Sequence, residues 1–178
     1  MKNQQENMVD VIDWAVNDAP LAQDCSSTAG LAAAIGNFDG VHRGHQKVVA
    51  AATEAAQRDN LTSAVITFDP HPREFFRQDD SPFHLTDRQE KDRLLSDLLG
   101  RSTPAKVIHV RFDDALRKTD ANHFISNVLV SLGVRHLLAG AFFSFGKGRG
   151  GDFKTINGGG KDGGNKESAF PLLVYDTT

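Results

Sequence analysis

Residues Leu31–His45 read LAAAIGNFDGVHRGH, and the reading of the whole chain turns on them. The apolar run Leu31–Ile35 is short and closes at Gly36, as a buried parallel strand does. Gly40 and Gly44 punctuate the next turn, and His42 and His45 stand three residues apart where a helix begins. A strand passing through a glycine-bearing loop into a helix N-terminus suits phosphate, because the helix end offers unpaired N–H groups and partial positive charge. Glycine lets backbone approach a ligand closely. Imidazoles one helical turn apart share a face and can converge on one anionic group. The stretch is neither G-x-x-x-x-G-K-[ST] nor G-x-G-x-x-G. Two plainer readings stand beside this one. The spacing of the histidines also suits metal ligands, although no third ligand lies at a recognisable spacing and no metal site is assigned. The histidines could also be merely exposed at a helix start.

Outward from this stretch, the chain alternates strand and helix. His45–Asp59 places Val48, Ala52, Ala55 and Ala56 at helical spacing, with Asn60 as its stop. Ser63–Phe68 reads as a second strand and Lys106–Val110 as a third. Thr86 and Gln89 form a T-x-x-Q capping box for a helix reaching Leu99, ended by Gly100. Thr119 or Asp120 caps the next helix, which runs through Leu132, and His136–Ala139 is a fourth strand with His136 read as structural. Val9–Trp14 contributes a short element with Trp14 packed. Strands alternating with helices imply βαβ units and a mainly parallel, doubly wound, Rossmann-like α/β sheet. A fold of this kind gives no function by itself.

Two further loops carry chemistry. FDPHPREFF, Phe68–Phe76, comes after the second strand, where ligands of open parallel sheets bind. Its prolines stiffen the loop, and Asp69, His71, Pro72 and Arg73 stand where a site is expected. GAFFSFGKGRGGD, Gly140–Asp152, comes after the fourth strand, and its glycines with Lys147 and Arg149 can wrap phosphate.

The strings IGNFDGVHRGH, FDPHP and SFGKGRGGD occur in one order. The first contains H-x-G-H, the signature of the nucleotidyltransferase superfamily. Together they resemble the adenylyltransferase domain of bacterial bifunctional riboflavin kinase/FAD synthetase over about Ala34–Phe153. The resemblance implies transfer of AMP from ATP to FMN, giving FAD and pyrophosphate, with Mg2+ accompanying ATP. It implies that His42 and His45 stabilise charge on the transferring phosphoryl group. It places Gly36, Asn37, Phe38, Asp39 and Gly40 at the ATP pocket, with Phe145, Gly146 and Arg149 closing over the nucleotide. Asp69, His71, Pro72 and Arg73 would shape the flavin side. The family pattern departs at Phe142, where Asp or Asn is usual, and the family's S-S-T-x-x-R segment is absent. Alternatives are an H-x-G-H adenylyltransferase for another phosphate acceptor, or a nucleotide- or flavin-binding module without turnover.

The expected organisation is an N-terminal extension over 1–30, the nucleotidyltransferase domain over 31–156, and a glycine-rich tail over 157–178, with no kinase domain. That arrangement predicts no phosphorylation of riboflavin. Phe170–Tyr175 reads as a last edge strand. A net charge of −3 argues against a nucleic-acid footprint. No apolar run approaches the ~20 residues of a membrane span. Cys25 has no partner for an intrachain disulfide, and MKNQQENMVD lacks a signal-peptide apolar region. A cytoplasmic location is the expectation.

Overall fold

The computed structural model describes residues 9–21, 30–77, 84–100, 104–140 and 143–151. Cys25, Phe142, the glycine-rich tail and Phe170–Tyr175 lie outside them. Five strands form one parallel sheet in the order β1-β4-β3-β2-β5. They are β1 Val9–Trp14, β2 Leu31–Ile35, β3 Thr62–Asp69, β4 Ala105–Arg111 and β5 Val134–Leu138. The helices are α1 Arg43–Asp59, α2 Pro72–Phe76, α3 Arg88–Leu99, α4 Asp114–Lys118 and α5 Ala121–Phe124. A π-helical segment, Ile125–Val130, continues α5.

The strand pattern explains the layering. Every residue of β2 and the first seven of β3 are buried, as expected for central strands covered on both faces. One face sets Ala32, Ala34, Val65 and Val107 against Val48, Val49 and Ala52 of α1 and Leu95 and Leu99 of α3. The other sets Ala33, Ile35, Ile66 and Ile108 against Phe124, Val128 and Leu132. α1 and α3 therefore cover one face and the α5 segment the other, which is the doubly wound arrangement. Strand order reverses between β2 and β5, so the switch point lies between their carboxyl ends, where ligands bind in open α/β sheets.

Several local expectations change. Val9–Trp14 is a full strand paired with β4 along its length, so the first thirty residues contribute an integral edge strand rather than an extension alone. Trp14 is buried and donates its indole N–H to Ala19 O. α3 is capped by Asp87, which accepts from Glu90 N–H at 2.8 Å, and not by Thr86, whose hydroxyl is committed to the loop after β2. FDPHPREFF is not all loop: Pro72 opens α2, where its missing N–H costs nothing. Asp120 is the expected cap of the next helix, its carboxylate accepting from His123 N–H, and α4 precedes it as a separate turn. α1 ends at Asn60 in the left-handed conformation, and His136 lies 3.2 Å from the Asp59 carboxylate at that end.

Candidate nucleotide site at the switch point

The loop after β2 is built on buried side chains and left-handed backbone. Phe38, Gly40 and Val41 take φ of 51°, 70° and 39°. Such angles are unfavourable for Phe and more so for β-branched Val, and they persist because Phe38 is 1% and Val41 4% exposed. Asp39 secures the turn from outside. Its carboxylate accepts from the N–H groups of Leu85 and Thr86 at 2.9 and 3.1 Å, and Thr86 Oγ1 accepts from Gly40 N–H at 3.1 Å. Burial is the largest single influence on the Asp39 carboxyl and pushes its pKa up, but the bonds from Thr86 and Leu85 together outweigh it and hold the pKa below the usual value.

The turn delivers His42 as the N-cap of α1, its Nδ1 facing His45 N–H at 3.4 Å. The His42 and His45 rings stack with centroids 3.6 Å apart, and Phe38 lies against His45 at 5.1 Å. A Cβ at Gly44 would sit 3.1 Å from the His42 ring, so a larger residue there would push that ring by a few tenths of an ångström. Burial first, and then the neighbouring His42, push the His45 pKa down from 6.5 to about 4, with Asp39 opposing. His45 is therefore neutral at pH 7. Its Nδ1 is buried and has no hydrogen-bond partner among the described residues. The pair sits at the positive end of a 17-residue helix.

A cavity of about 510 Å3 opens beside this loop. Asn37 reaches it from the loop after β2, and His71, Pro72 and Arg73 from the connection after β3. Phe145, Gly146 and Arg149 close it from the loop after β5. The structure thus joins one residue of the first motif with most of the second and third. Phe76, Phe112 and Phe143 add an aromatic wall that the sequence alone does not assign to the site, Phe112 standing directly after β4. The rings of Phe75, Phe76 and Phe112 pack edge to face, and Phe143 stacks on Phe145 at 6.0 Å. Volume and lining suit a small molecule with a flat apolar portion. His71 caps α2 by accepting from Arg73 N–H at 3.0 Å, and burial lowers its pKa.

The remaining predicted residues, His42 and His45 among them, do not line this cavity. Phe38 is core beneath His45. Gly36 donates its N–H to Ile66 O, and Asp39 and Gly40 hold the segment at Leu85–Thr86. Asp69 does not line the cavity; its carboxylate pairs with Arg88 Nη1 at 2.7 Å. Arg88 also bonds Asp13 at the end of β1, and Asp92 pairs with the buried His109 of β4. A second cavity, about 560 Å3, lies mostly between α1 and α3, but Glu54 and Asp97 make its rim acidic and ill-suited to phosphate. Among the described residues no helix is long and apolar enough to cross a membrane.

Similarity to known proteins identifies the family. Residues 24–176 match the family model described as FAD synthetase. The match extends on both sides of the three motifs. The bifunctional riboflavin kinase/FMN adenylyltransferase of Pseudomonas fluorescens is 38% identical over 148 residues, covering 83% of this chain and 46% of that protein. Its counterpart from Escherichia coli K12 is 40% identical over 136 residues, covering 76% and 42%. That of Bacillus subtilis is 36% identical over 69% of the chain and 38% of the relative. The chain therefore spans less than half the length of these curated relatives. A crystal structure described as a macrolide-efflux protein from Streptococcus pneumoniae shares the fold, with a TM-score of 0.60, 22% identity, and coverage of 78% and 44%. The chain belongs to the FAD synthetase family.

Proposed function

We propose that this chain is an FMN adenylyltransferase. A phosphate oxygen of FMN attacks the α-phosphorus of ATP in line, forming the new P–O bond of FAD. The bond from the α-phosphorus to the bridging oxygen breaks, and pyrophosphate leaves with the electron pair. No protein nucleophile is needed, so the protein supplies position and charge stabilisation. The observation that carries the reading is the stacked His42–His45 pair at the N-terminus of α1, at the end of the loop whose Asn37 lines an aromatic cavity at the switch point.

The residues divide the work. A neutral His45 carries one N–H, and with Nδ1 buried and unpartnered we place that proton on Nε2. The ring can then donate to an α-phosphate oxygen as negative charge builds there. The α1 N-terminus adds positive potential without adding a proton. The Phe76, Phe112 and Phe143 wall would take the flat flavin ring, and Arg149 the phosphates. Arg149 is now held by its Nε bond to Ser144 Oγ at 2.7 Å, an exposed contact a phosphate can replace. Mg2+ is assigned to the nucleotide, whose triphosphate oxygens supply ligands and whose charge it neutralises.

The test is direct. The chain is incubated with ATP, Mg2+ and FMN, and FAD and pyrophosphate are measured. Pantetheine phosphate and nicotinamide mononucleotide replace FMN in parallel. FAD with FMN alone supports the proposal; pyrophosphate release with another acceptor replaces it. Phe142, standing where the family pattern has Asp or Asn, favours a second reading: a binding module without turnover. Calorimetric ATP binding with no pyrophosphate at high protein concentration selects that reading.

A further inference from the structure

One charged side chain near the site belongs to none of the three motifs. Lys91 projects from the first turns of α3 toward the carboxyl ends of the strands and is half-buried. Among the described residues its hydrogen bond is a long one, 3.5 Å from Nζ to Thr67 Oγ1. Asp69, Asp92 and Asp39 are close enough to favour its charge, yet among the described residues it forms an ion pair with none of them. Burial is the larger effect and lowers its pKa. A lysine kept partly dehydrated beside three carboxylates, and aimed at a neutral hydroxyl instead, is an expensive arrangement for stability alone.

Thr67 shows where the contact leads. It is fully buried on β3, and its hydroxyl donates to the backbone carbonyl of Asn37 at 3.1 Å. Accepting from Lys91 fixes the rotor so that its one proton points at Asn37. Asn37 opens the left-handed turn through Phe38, and Phe38 packs on His45. Thr67 also shares a row of the sheet with His109 and Asp13. The first turns of α3 cover that row, with Arg88 on Asp13, Asp92 on His109 and Lys91 on Thr67.

We infer that Lys91 is a positioning residue: through Thr67 it fixes the Asn37–Phe38 turn and thereby the His45 ring. Only the kinetic arm of its test rests on the adenylyl-transfer reading. Lys91→Met, Thr67→Val, the double variant and Lys91→Arg are made in the full chain, with thermal melts as a check on folding. The first readout is the His45 ring-proton resonance by NMR, which reports the Phe38 ring packed beneath it and needs no turnover. Lys91→Met and Thr67→Val should move that resonance in the same direction, the double variant no further, and Lys91→Arg should leave it near its original place. In FAD formation each single change should lower kcat roughly tenfold, with KM for ATP and FMN within about twofold and no further loss in the double variant.

An unmoved His45 resonance overturns the inference. So do additive losses, or a raised KM in Lys91→Met with Thr67→Val silent, which would mean direct contact with substrate. If Lys91→Met does not fold, Thr67→Val and Lys91→Arg decide the matter by the same resonance. A chain that makes no FAD defeats the proposed reaction, while the NMR arm still tests Lys91.

Discussion

The two loops that meet at the switch point are built in opposite ways. The loop after β2 buries Phe38 and Val41 and is tied from outside by Asp39 and Thr86. Its left-handed residues are therefore held by packing. The segment Phe143–Gly151 after β5 is a glycine-based turn. It is closed by the Phe145–Gly151 bridge and fastened to the body by Lys147 N–H on Thr119 O at 2.7 Å. Lys147, Gly148 and Arg149 are exposed. The first loop is fixed by buried side chains, whereas the tip of the second is held by backbone bonds and stays exposed. Preorganisation belongs where charge develops in a transition state, and adjustment where a ligand must enter and leave.

The comparison breaks most visibly at Phe38. Phe38→Ala removes a fully packed ring beneath His45 and should cost about 3–5 kcal/mol of stability. Denaturant unfolding checks this, and a loss under ~1 kcal/mol would show that the first loop is not held by its core contact.

The histidine pair gives the next largest effect. His42→Ala and His45→Ala should each lower turnover about a hundredfold, with much smaller change in ATP binding. Equal losses in both would assign the pair to ground-state binding. His45 also makes stability depend on pH. The unfolded His45 ring protonates near its ordinary 6.5, but the folded ring resists until about 4. Stability therefore falls as pH drops between those values. Burial lowers the pKa of His71 and His109 as well, so they contribute in the same sense. His45→Gln should flatten the dependence of melting temperature on pH across that window without abolishing it.

Legibility in the sequence tracks the range of the interactions. β2, α1 and β3 are readable because apolar runs and alanine spacing are local signals. The helix start that carries the histidine pair is readable from Gly44 and the two histidines, which meet within four residues. β1 is less readable, since an edge strand carrying Asp10 and Asp13 lacks a continuous apolar run. Its acidic residues make sense only beside Lys106 and Arg88, 96 and 75 positions away. Thr86 reads as a cap in the sequence because its real partners, Asp39 and Gly40, lie 47 and 46 residues back. The aromatic wall escapes a sequence reading for the same reason: Phe76, Phe112 and Phe143 come from three separate connections.

In the second loop, Arg149→Met should weaken ATP binding roughly tenfold, as loss of one charge-assisted phosphate contact does. Calorimetry measures it directly. Stability should barely change, because the exposed bond to Ser144 contributes little. A large fall in melting temperature would mean that this loop, too, is held by its side chains.

The finest comparison uses two glycines of almost equal backbone angle. Gly40 in the first loop has φ of 70° and Gly148 in the second has φ of 65°. Where the backbone cannot relax, an alanine at such a position must accept left-handed φ, which costs about 1–2 kcal/mol. Their surroundings differ. A Cβ at Gly40 would stand 2.9 Å from Leu85 Cδ1, whereas one at Gly148 meets nothing within 4 Å. Leu85 is largely exposed and can swing aside, so the steric part of the Gly40→Ala penalty is modest. The larger part comes from Asp39, which holds Leu85 and Thr86 against the turn and would have to release them if the backbone relaxed. Gly148 has no such tie among the described residues, and its neighbours are exposed, so the turn can move to an ordinary φ. Gly148→Ala should therefore cost about 1 kcal/mol or less, and Gly40→Ala visibly more in the same denaturation series. Equal losses would mean that both loops are equally constrained, and the division of labour between a fixed loop and an adjusting one would fall.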